Sequence, residues 1–123
     1  MSWKYNQATG AFTSPTGDVA GNGYSGQPPH VNVAQDQILR NLGPIPEGLW
    51  KAVELIPESD KLGPYAIRLE PYSQTDAFGR SGFFMHGDSL EHPGFASDGC
   101  IILAHAVREL FWTSTDHDID VTQ

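Results

Sequence analysis

The pattern of hydrophobic and polar residues predicts a protein built mainly from short β-strands. Tyr65, Ile67 and Leu69 alternate with less apolar positions, which is the period of a strand with one buried face. Residues 82–85 form an apolar run and predict a strand that is buried on both faces and ends at His86. By the same signals we expect strands at residues 3–5, 11–13, 19 onward, 49–55, 65–72, 100–103 and 119–121.

A short helix is predicted between the third and fourth of these strands. Residues 33–42 place Val33, Ile38 and Leu42 at roughly helical intervals. Asn32 is a suitable N-cap, and a Gly-Pro pair directly after the segment is a stop signal. We therefore expect a short helix in this segment.

The last third of the chain predicts a long loop and an amphipathic helix. Residues 87–99 are rich in Gly, Asp, Ser and Pro and show no periodicity, and a loop of this length inside a compact domain is usually functional or mobile. In residues 104–112, Val107, Leu110 and Phe111 fall on one helical face and predict a helix that packs on the sheet.

Composition supports this interpretation and excludes two classes of partner. The 13 glycines and nine prolines are spread along 123 residues, which favours many tight turns in one domain over residues 1–123. The formal charge is -8 and no basic cluster is present, so we expect no nucleic-acid partner. No apolar run approaches the roughly 20 residues of a membrane helix, so we expect no membrane insertion. The first residues lack the pattern of a signal peptide, which predicts a protein made in the cytoplasm.

Cys100 is the only cysteine in the chain and follows the loop that begins after His86. A thiol attacks a carbonyl as the thiolate, and a nearby imidazole can take its proton. If the strands that end at His86 and begin at Cys100 lie side by side, the two side chains can meet. Cys100 is then either a nucleophile with His86 as its base, or an inert core residue near a structural histidine.

The residues before Cys100 bear on this choice. Gly99 has no Cβ and lets a substrate carbonyl approach the backbone, where the N–H of Cys100 is a predicted oxyanion donor. Ser97 is expected to orient the loop or to supply a hydrogen bond. The carboxylate of Asp98 has the opposite effect, because a negative charge beside the thiol disfavours the thiolate.

Separate motifs resemble the L,D-transpeptidase catalytic domain, which has the YkuD-type fold. That family carries a His-Gly pair, a loop and then Ser/Thr-His-Gly-Cys; this chain has His-Gly at residues 86–87 and Ser-Asp-Gly-Cys at residues 97–100. The segment GPIPEGLW also resembles the strand lead-in of such domains. Over nearly the whole chain, GNGYSG, GRSGFFMHGD and SDGCIIL are similar to small domains of the DUF2778 type, which include L,D-transpeptidase-like toxins injected through type VI secretion. Asp98 and Ile102 depart from the residues that the larger enzymes carry.

The resemblance implies a mainly β, sandwich-like L,D-transpeptidase domain with one or two short helices and no cofactor. It implies acyl transfer on tetrapeptide stems of peptidoglycan, with Cys100 as nucleophile and His86 as base. Water as acceptor gives L,D-carboxypeptidase activity, a D-amino acid gives exchange, and a stem amine gives a cross-link. The expected partners are the stem peptides, a periplasmic immunity protein and a type VI secretion component, and the expected site of action is the periplasm of a target bacterium.

Five further residues are predicted to contact the substrate or to position His86. Arg80 is expected to pair with a stem-peptide carboxylate. Tyr24 and Ser25 are expected to line the cleft, with the Tyr24 hydroxyl near the oxyanion. Asp88 or Ser89 is expected to hold the imidazole in one tautomer. The structural alternatives are a surface arginine, a buried aromatic ring and side chains that cap a loop.

Two other functions stay open at this level. His86, Asp88, His92 and Cys100 offer donors for a zinc-dependent hydrolase, although their spacing matches no compact zinc motif. A non-catalytic β module that binds peptidoglycan or a protein would keep Cys100 in its core. Alkylating reagents are expected to separate these functions, because a catalytic cysteine is expected to react rapidly and a core cysteine slowly.

Overall fold

A computed structural model describes residues 2–123 and confirms the mainly β prediction. The regular elements are β1 (Trp3–Asn6), β2 (Ala11–Thr13), β3 (Val19–Asn22), β4 (Tyr24–Ser25), a 3₁₀ helix (Ala34–Ile38), β5 (Gly48–Ser59), β6 (Gly63–Pro71), β7 (Phe83–His86), β8 (Ile101–Ile102), α1 (His105–Trp112) and β9 (Asp118–Thr122). The strands form one sheet in the order β3-β2-β1-β9-β5-β6-β7-β8-β4. Neither helix in this range is long and apolar enough to cross a membrane.

The predicted strands at both chain ends are confirmed and meet in the sheet. β1 pairs antiparallel with β2 and parallel with the C-terminal β9, while β2 pairs with β3. Trp3, Phe12 and Phe111 pack together, with ring centroids 5.0, 5.4 and 5.6 Å apart. This aromatic cluster fixes α1 against the strands, because such pairs bury large apolar surfaces in a defined geometry.

The central hairpin of β5 and β6 is longer than predicted. The strands predicted at residues 49–55 and 65–72 leave a gap between them, yet β5 continues to Ser59 and pairs there with Gly63. These polar residues lie beyond the core, and they stay in strand conformation because the backbone ladder satisfies their N–H and C=O groups without an apolar face. The hairpin tip at residues 60–62 therefore projects past the sheet, where it forms one wall of a cleft.

The helix predicted over residues 33–42 is confirmed only in part. Only Ala34–Ile38 is helical; it is of the 3₁₀ type and has no side-chain N-cap. Ile38 is 58% exposed, so the helical spacing does not correspond to a buried face. Gly43 packs on the carbonyl of Asp36, and the chain turns back before a second helical turn can form. A short helix without a buried face has little to stabilise it.

β7 and β8 lie side by side and run parallel, with Met85 paired to Ile101 and His86 to Ile102. Parallel neighbours need a connection of a dozen or more residues. This requirement explains the predicted loop at residues 87–99, which contains no helix or strand. β8 is shorter than predicted and leaves Cys100 directly before its first residue.

The predicted C-terminal helix is confirmed as α1, but its inner face differs from the prediction. Phe111 is buried and Val107 half-buried, whereas Leu110 is 55% exposed and Arg108 takes an inner position at 4% exposure. The Arg108 guanidinium donates to three backbone carbonyls, from the residue after β8 and from the start of β6, at 2.8 to 3.0 Å. A charge can be buried when its donors are satisfied in this way.

Candidate active site

A cleft of about 870 Å³ opens between the tip of the β5–β6 hairpin and the two loops that flank β7. Phe84, His86 and Cys100 contribute to its lining, and Lys61 and Arg40 lie on its walls. Concave sites of several hundred Å³ with a few convergent polar groups are typical of ligand-binding pockets. The cleft therefore is the candidate site for chemistry at Cys100.

Cys100 and His86 enter this cleft from neighbouring strands. Because Met85 pairs with Ile101, extending the register by one residue places Cys100 level with Phe84. Phe84 and His86 are two positions apart on β7, so their side chains point to the same face of the sheet. The topology thus brings the predicted nucleophile and base to one surface.

Each of these two side chains contacts the backbone, and no hydrogen bond between them occurs within residues 2–123. The Sγ of Cys100 makes a weak contact of 3.9 Å to the carbonyl oxygen of Gly82. The Nδ1 of His86 lies 2.9 Å from the carbonyl oxygen of Gly87. A carbonyl only accepts, so Nδ1 carries the proton and Nε2 holds the lone pair that can accept one.

Burial keeps both groups neutral at pH 7. Burial, with a smaller contribution from the carboxylate of Asp98, raises the pKa of the Cys100 thiol to about 11, while the charge of Lys61 acts in the opposite direction. Burial also lowers the pKa of the His86 imidazole, and the positive charge of Arg108 adds to this effect. A resting thiolate is therefore rare, and attack by Cys100 requires a base that removes its proton as the new bond forms.

Ser97 supports the turn that carries Cys100. Its hydroxyl accepts hydrogen bonds from the N–H groups of Gly26 at 2.9 Å and Gly99 at 3.1 Å, and donates to the Cys100 carbonyl at 2.7 Å. The side chain is fully buried, and the cleft lining does not include it. Of the two roles expected from the sequence, this geometry supports that of orienting the loop.

Tyr24 and Ser25 lie behind the turn and not on the cleft wall, where the sequence analysis expects them. The Ser25 hydroxyl donates to the Gly99 carbonyl at 3.0 Å and accepts from the Ile45 N–H at 2.8 Å. The Tyr24 hydroxyl donates to Asp88 at 2.6 Å. The reason is topological: β4 pairs with the far edge of β8, so β8 separates it from β7 and the cleft.

Asp88 and Ser89 lie on the cleft wall but do not hydrogen-bond the imidazole. The Asp88 carboxylate accepts from the N–H groups of Ser89 at 2.8 Å and Gly94 at 3.1 Å, in addition to the Tyr24 hydroxyl. The Ser89 hydroxyl accepts from the N–H of His92 at 2.9 Å. Both side chains stabilise the loop, and the backbone of Gly87 holds the His86 tautomer instead.

Arg80 is a buried clamp, 7% exposed, and neither a surface residue nor a free cation. Its two terminal nitrogens share four backbone carbonyls, which belong to Gln37, Gly43, Pro44 and Asp98. These contacts join the segment before β5 to the turn that carries Cys100. The predicted pairing with a substrate carboxylate would require the guanidinium to leave these carbonyls, so the geometry corrects that prediction.

The absence of a side chain at Gly99 is explained by this clamp. Gly99 has a φ of +135°, and a Cβ there would lie 2.5 Å from the Arg80 Nη2 and 3.1 Å from the Phe83 ring. From the sequence, this space is predicted to admit a substrate carbonyl. In the structure the guanidinium occupies it.

Lys61, Arg40 and Arg108 are not predicted as site residues from the sequence, but the fold places them around Cys100 and His86. Lys61 is at the hairpin tip and Arg40 precedes β5. Arg108 extends from α1 to Gly87, and a Cβ on Gly87 would lie 3.0 Å from the Arg108 Nη2. The sequence does carry one signal for them. The chain has only seven basic residues, so each of them is a candidate for binding an anionic group.

Within residues 2–123, no three His, Cys, Asp or Glu side chains lie close enough to hold a metal ion. The set proposed from sequence for zinc is dispersed: His86 hydrogen-bonds Gly87, Asp88 is held by Tyr24 and loop N–H groups, and His92 is exposed. The geometry therefore lends no support to a zinc-dependent hydrolase.

Solved L,D-transpeptidase structures share this fold. L,D-transpeptidase 3 from Mycobacterium tuberculosis, in complex with a faropenem-derived adduct, has a TM-score of 0.58 and 16% identity over 99% of this chain and 60% of that one. Another L,D-transpeptidase from Mycobacterium tuberculosis H37Rv has a TM-score of 0.58 and 18% identity over 99% of this chain and 57% of that one. The chain thus spans less than two thirds of the length of these proteins. No curated protein sequence shows a significant match.

The sequence itself matches the Tlde1 domain over residues 20–121, which include the cleft, Cys100, His86 and α1. The fold of the structural neighbours and this match agree with the motifs at residues 86–87 and 97–100. The chain belongs to the Tlde1 domain family, the family of type VI secretion L,D-transpeptidase effectors.

Proposed function

We propose that this protein is a cysteine-dependent enzyme that modifies peptidoglycan stem peptides, as an L,D-carboxypeptidase, a D-amino acid exchange enzyme or both. The observation that carries the proposal is the placement of Cys100 and His86 on one face of neighbouring strands, inside one cleft. Membership of the Tlde1 family supports the substrate class.

The resting charges determine the first step. Cys100 Sγ attacks the carbonyl of the peptide bond between the third and fourth stem residues, and its proton passes to the free Nε2 of His86. The Cys100 N–H is the proposed donor to the oxyanion. Burial favours this route, because the Cys100 thiol and the His86 imidazole are both neutral at rest. The oxyanion and the imidazolium form only during the attack, and both charges are lost when the tetrahedral intermediate collapses.

Collapse of the tetrahedral intermediate completes the acylation. The C–N bond breaks, the imidazolium returns its proton to the departing amine, and a D-amino acid leaves while the tripeptide stays on Sγ as a thioester. Water or the amine of another D-amino acid then attacks the thioester carbonyl, and His86 takes its proton. The C–S bond breaks, and the imidazolium returns the proton to Sγ, which restores the Cys100 thiol. Hydrolysis yields a tripeptide stem, and aminolysis yields an exchanged tetrapeptide.

The direct test is to incubate the protein with a disaccharide tetrapeptide, with and without D-methionine, and to follow products by mass spectrometry. Cys100→Ala and His86→Ala are expected to abolish conversion. His92→Ala is the matched control, because His92 is an exposed loop histidine near the cleft. Turnover that survives Cys100→Ala would refute the proposal.

One observation favours the non-catalytic alternative, a module that binds peptidoglycan or a protein. Cys100 is only 9% exposed, and burial raises its pKa to about 11. If wild-type protein binds the stem but releases no D-amino acid and forms no thioester, this alternative replaces the enzyme.

Delivery and partners belong to the same proposal. We infer that a type VI secretion component carries the protein and that it acts in the periplasm of a target cell, where an immunity protein covers the cleft. Outside the cleft, the charge of -8 favours basic residues on the immunity protein. When the chain is directed to the periplasm of a bacterial host, wild type is expected to stop growth and Cys100→Ala to be harmless; equal toxicity of the two would contradict this.

A further inference from the structure

The cleft is electrostatically unlike the rest of this acidic protein. It is lined by three of the seven basic residues, Arg40, Lys61 and Arg80, but by only two of the fifteen acidic ones, Asp88 and Asp98. Local positive charge in a concave site concentrates anionic ligands even when the whole protein repels them. A carboxylate-bearing substrate needs such a group.

The three cations differ in how many of their N–H donors are already hydrogen-bonded within the protein. Arg80 uses its terminal nitrogens on four backbone carbonyls. Arg40 donates from Nη2 to the carbonyl of Gly79 at 3.1 Å. Lys61 is exposed at the hairpin tip and makes no hydrogen bond or ion pair within residues 2–123. Its three N–H donors are therefore available to a ligand.

Lys61 also lies on the reactive side of the cleft. Lys61, His86 and Cys100 line the same cleft. The charges of Lys61 and Arg80 both lower the pKa of the Cys100 thiol, but burial and Asp98 raise it. In a tetrapeptide stem the C-terminal carboxylate belongs to the residue that leaves, directly beyond the bond that Cys100 would break. A cation in the same cleft as Sγ is in the correct region for that carboxylate.

We propose that Lys61 is the specificity residue of the cleft and binds the C-terminal carboxylate of the stem. This inference rests on the proposed function for the identity of the substrate. The leaving D-amino acid and an incoming D-amino acid occupy the same place, since exchange is the reverse of release with a different amine. Lys61 therefore favours acceptors that carry a carboxylate beside their amine over amines that lack one.

Binding to Cys100→Ala protein tests the inference without turnover. Affinities for disaccharide tetrapeptide with a C-terminal acid and with a C-terminal amide are measured by calorimetry at low ionic strength, where an exposed ion pair is least screened. The acid is expected to bind about five-fold more tightly than the amide, the upper range for an exposed pair. Adding Lys61→Gln is expected to abolish this preference, and Lys61→Arg to retain it.

Two matched variants complete the design. Lys4→Gln removes an exposed lysine from β1, outside the cleft, and is expected to leave the acid preference unchanged. Arg40→Gln tests the other incompletely used cation. The inference is overturned if Cys100→Ala protein shows no acid preference or no binding, if Lys61→Gln retains the preference, or if only Arg40→Gln abolishes it.

The outcome is separable from that of the proposed function. Wild-type turnover of the acid stem without an acid preference in binding would keep the enzyme and reject the role of Lys61. An acid preference that Lys61→Gln removes, in a protein that turns over neither stem, would keep the carboxylate site and reject the enzyme.

Discussion

Substitution of Gly99 by alanine would test the link between the Arg80 clamp and the turn that carries Cys100. The added Cβ would lie 2.5 Å from the Arg80 Nη2, a distance that side-chain packing does not tolerate. The guanidinium must shift, and it then loses at least one of its hydrogen bonds to the carbonyls of Gly43 and Asp98. The φ of +135° adds backbone strain for any residue with a Cβ.

These two effects set the size of the expected destabilisation. Backbone strain contributes about 1–2 kcal/mol, and a lost hydrogen bond to a charged group about 1.5–3 kcal/mol, which together give about 3–5 kcal/mol. Gly17→Ala is the matched control, because Gly17 has a φ of +97° and nothing within 4 Å of a Cβ. It is expected to cost only the strain, about 1–2 kcal/mol.

Urea unfolding followed by tryptophan fluorescence measures both changes. A double-mutant cycle with Arg80→Lys, which lacks the Nη2 atom, isolates the contact. Gly99→Ala is expected to cost about 2 kcal/mol less in that background than in wild type. If Gly99→Ala costs no more than Gly17→Ala, or costs the same in both backgrounds, the clamp does not explain why residue 99 is glycine.

Four further outcomes are expected. Ser97→Ala leaves the buried N–H groups of Gly26 and Gly99 without their acceptor and should destabilise the fold by about 2–4 kcal/mol in urea unfolding. A loss below about 1 kcal/mol would show that Ser97 does not support the turn that carries Cys100. Iodoacetamide should modify Cys100 slowly at pH 7, and the rate should rise about tenfold per pH unit toward the thiol pKa of about 11. A rate that levels off near pH 8 would instead show a stabilised thiolate. In kcat/KM profiles, activity should fall as pH drops through the lowered pKa of His86, because protonation of Nε2 removes the base; an acid limb centred above pH 6.5 would rule this out. Tyr24→Phe removes the hydrogen bond to Asp88 and the acceptor of the Ala96 N–H. Hydrogen exchange at Ala96 should therefore accelerate while β5 and β6 stay protected. Unchanged exchange at Ala96 would show that Tyr24 does not hold the loop.

The slow alkylation expected for Cys100 changes what an alkylation assay can show. From the sequence, a catalytic cysteine is expected to react rapidly, on the assumption that a histidine partner stabilises the thiolate. The structure shows Cys100 without a hydrogen bond to His86 in the described residues and with a raised pKa. Slow reaction therefore does not distinguish an enzyme from a core cysteine, and thioester formation with a stem peptide is the informative measurement.

Most strands follow from the sequence because their signals are local. Alternation at Tyr65, Ile67 and Leu69, the apolar run into His86, and the turns rich in Gly and Pro each arise within a few residues. The elements predicted wrongly are those in which a local pattern lacks a tertiary counterpart. Ile38 has helical spacing but no surface to bury it, and the polar end of β5 is stabilised by its ladder with β6.

The sequence by itself determined the strand-rich class, the family motifs and the two side chains on which the proposed chemistry depends. Only the tertiary structure decided which polar groups are available. Arg80 and Arg108 are occupied by carbonyls remote in sequence, whereas Lys61 keeps its donors at a hairpin tip. The physical reason is that a side chain can bind a substrate only with donors or acceptors that the fold leaves unpaired. Which of them stay unpaired depends on the groups that the folded sheet brings next to them.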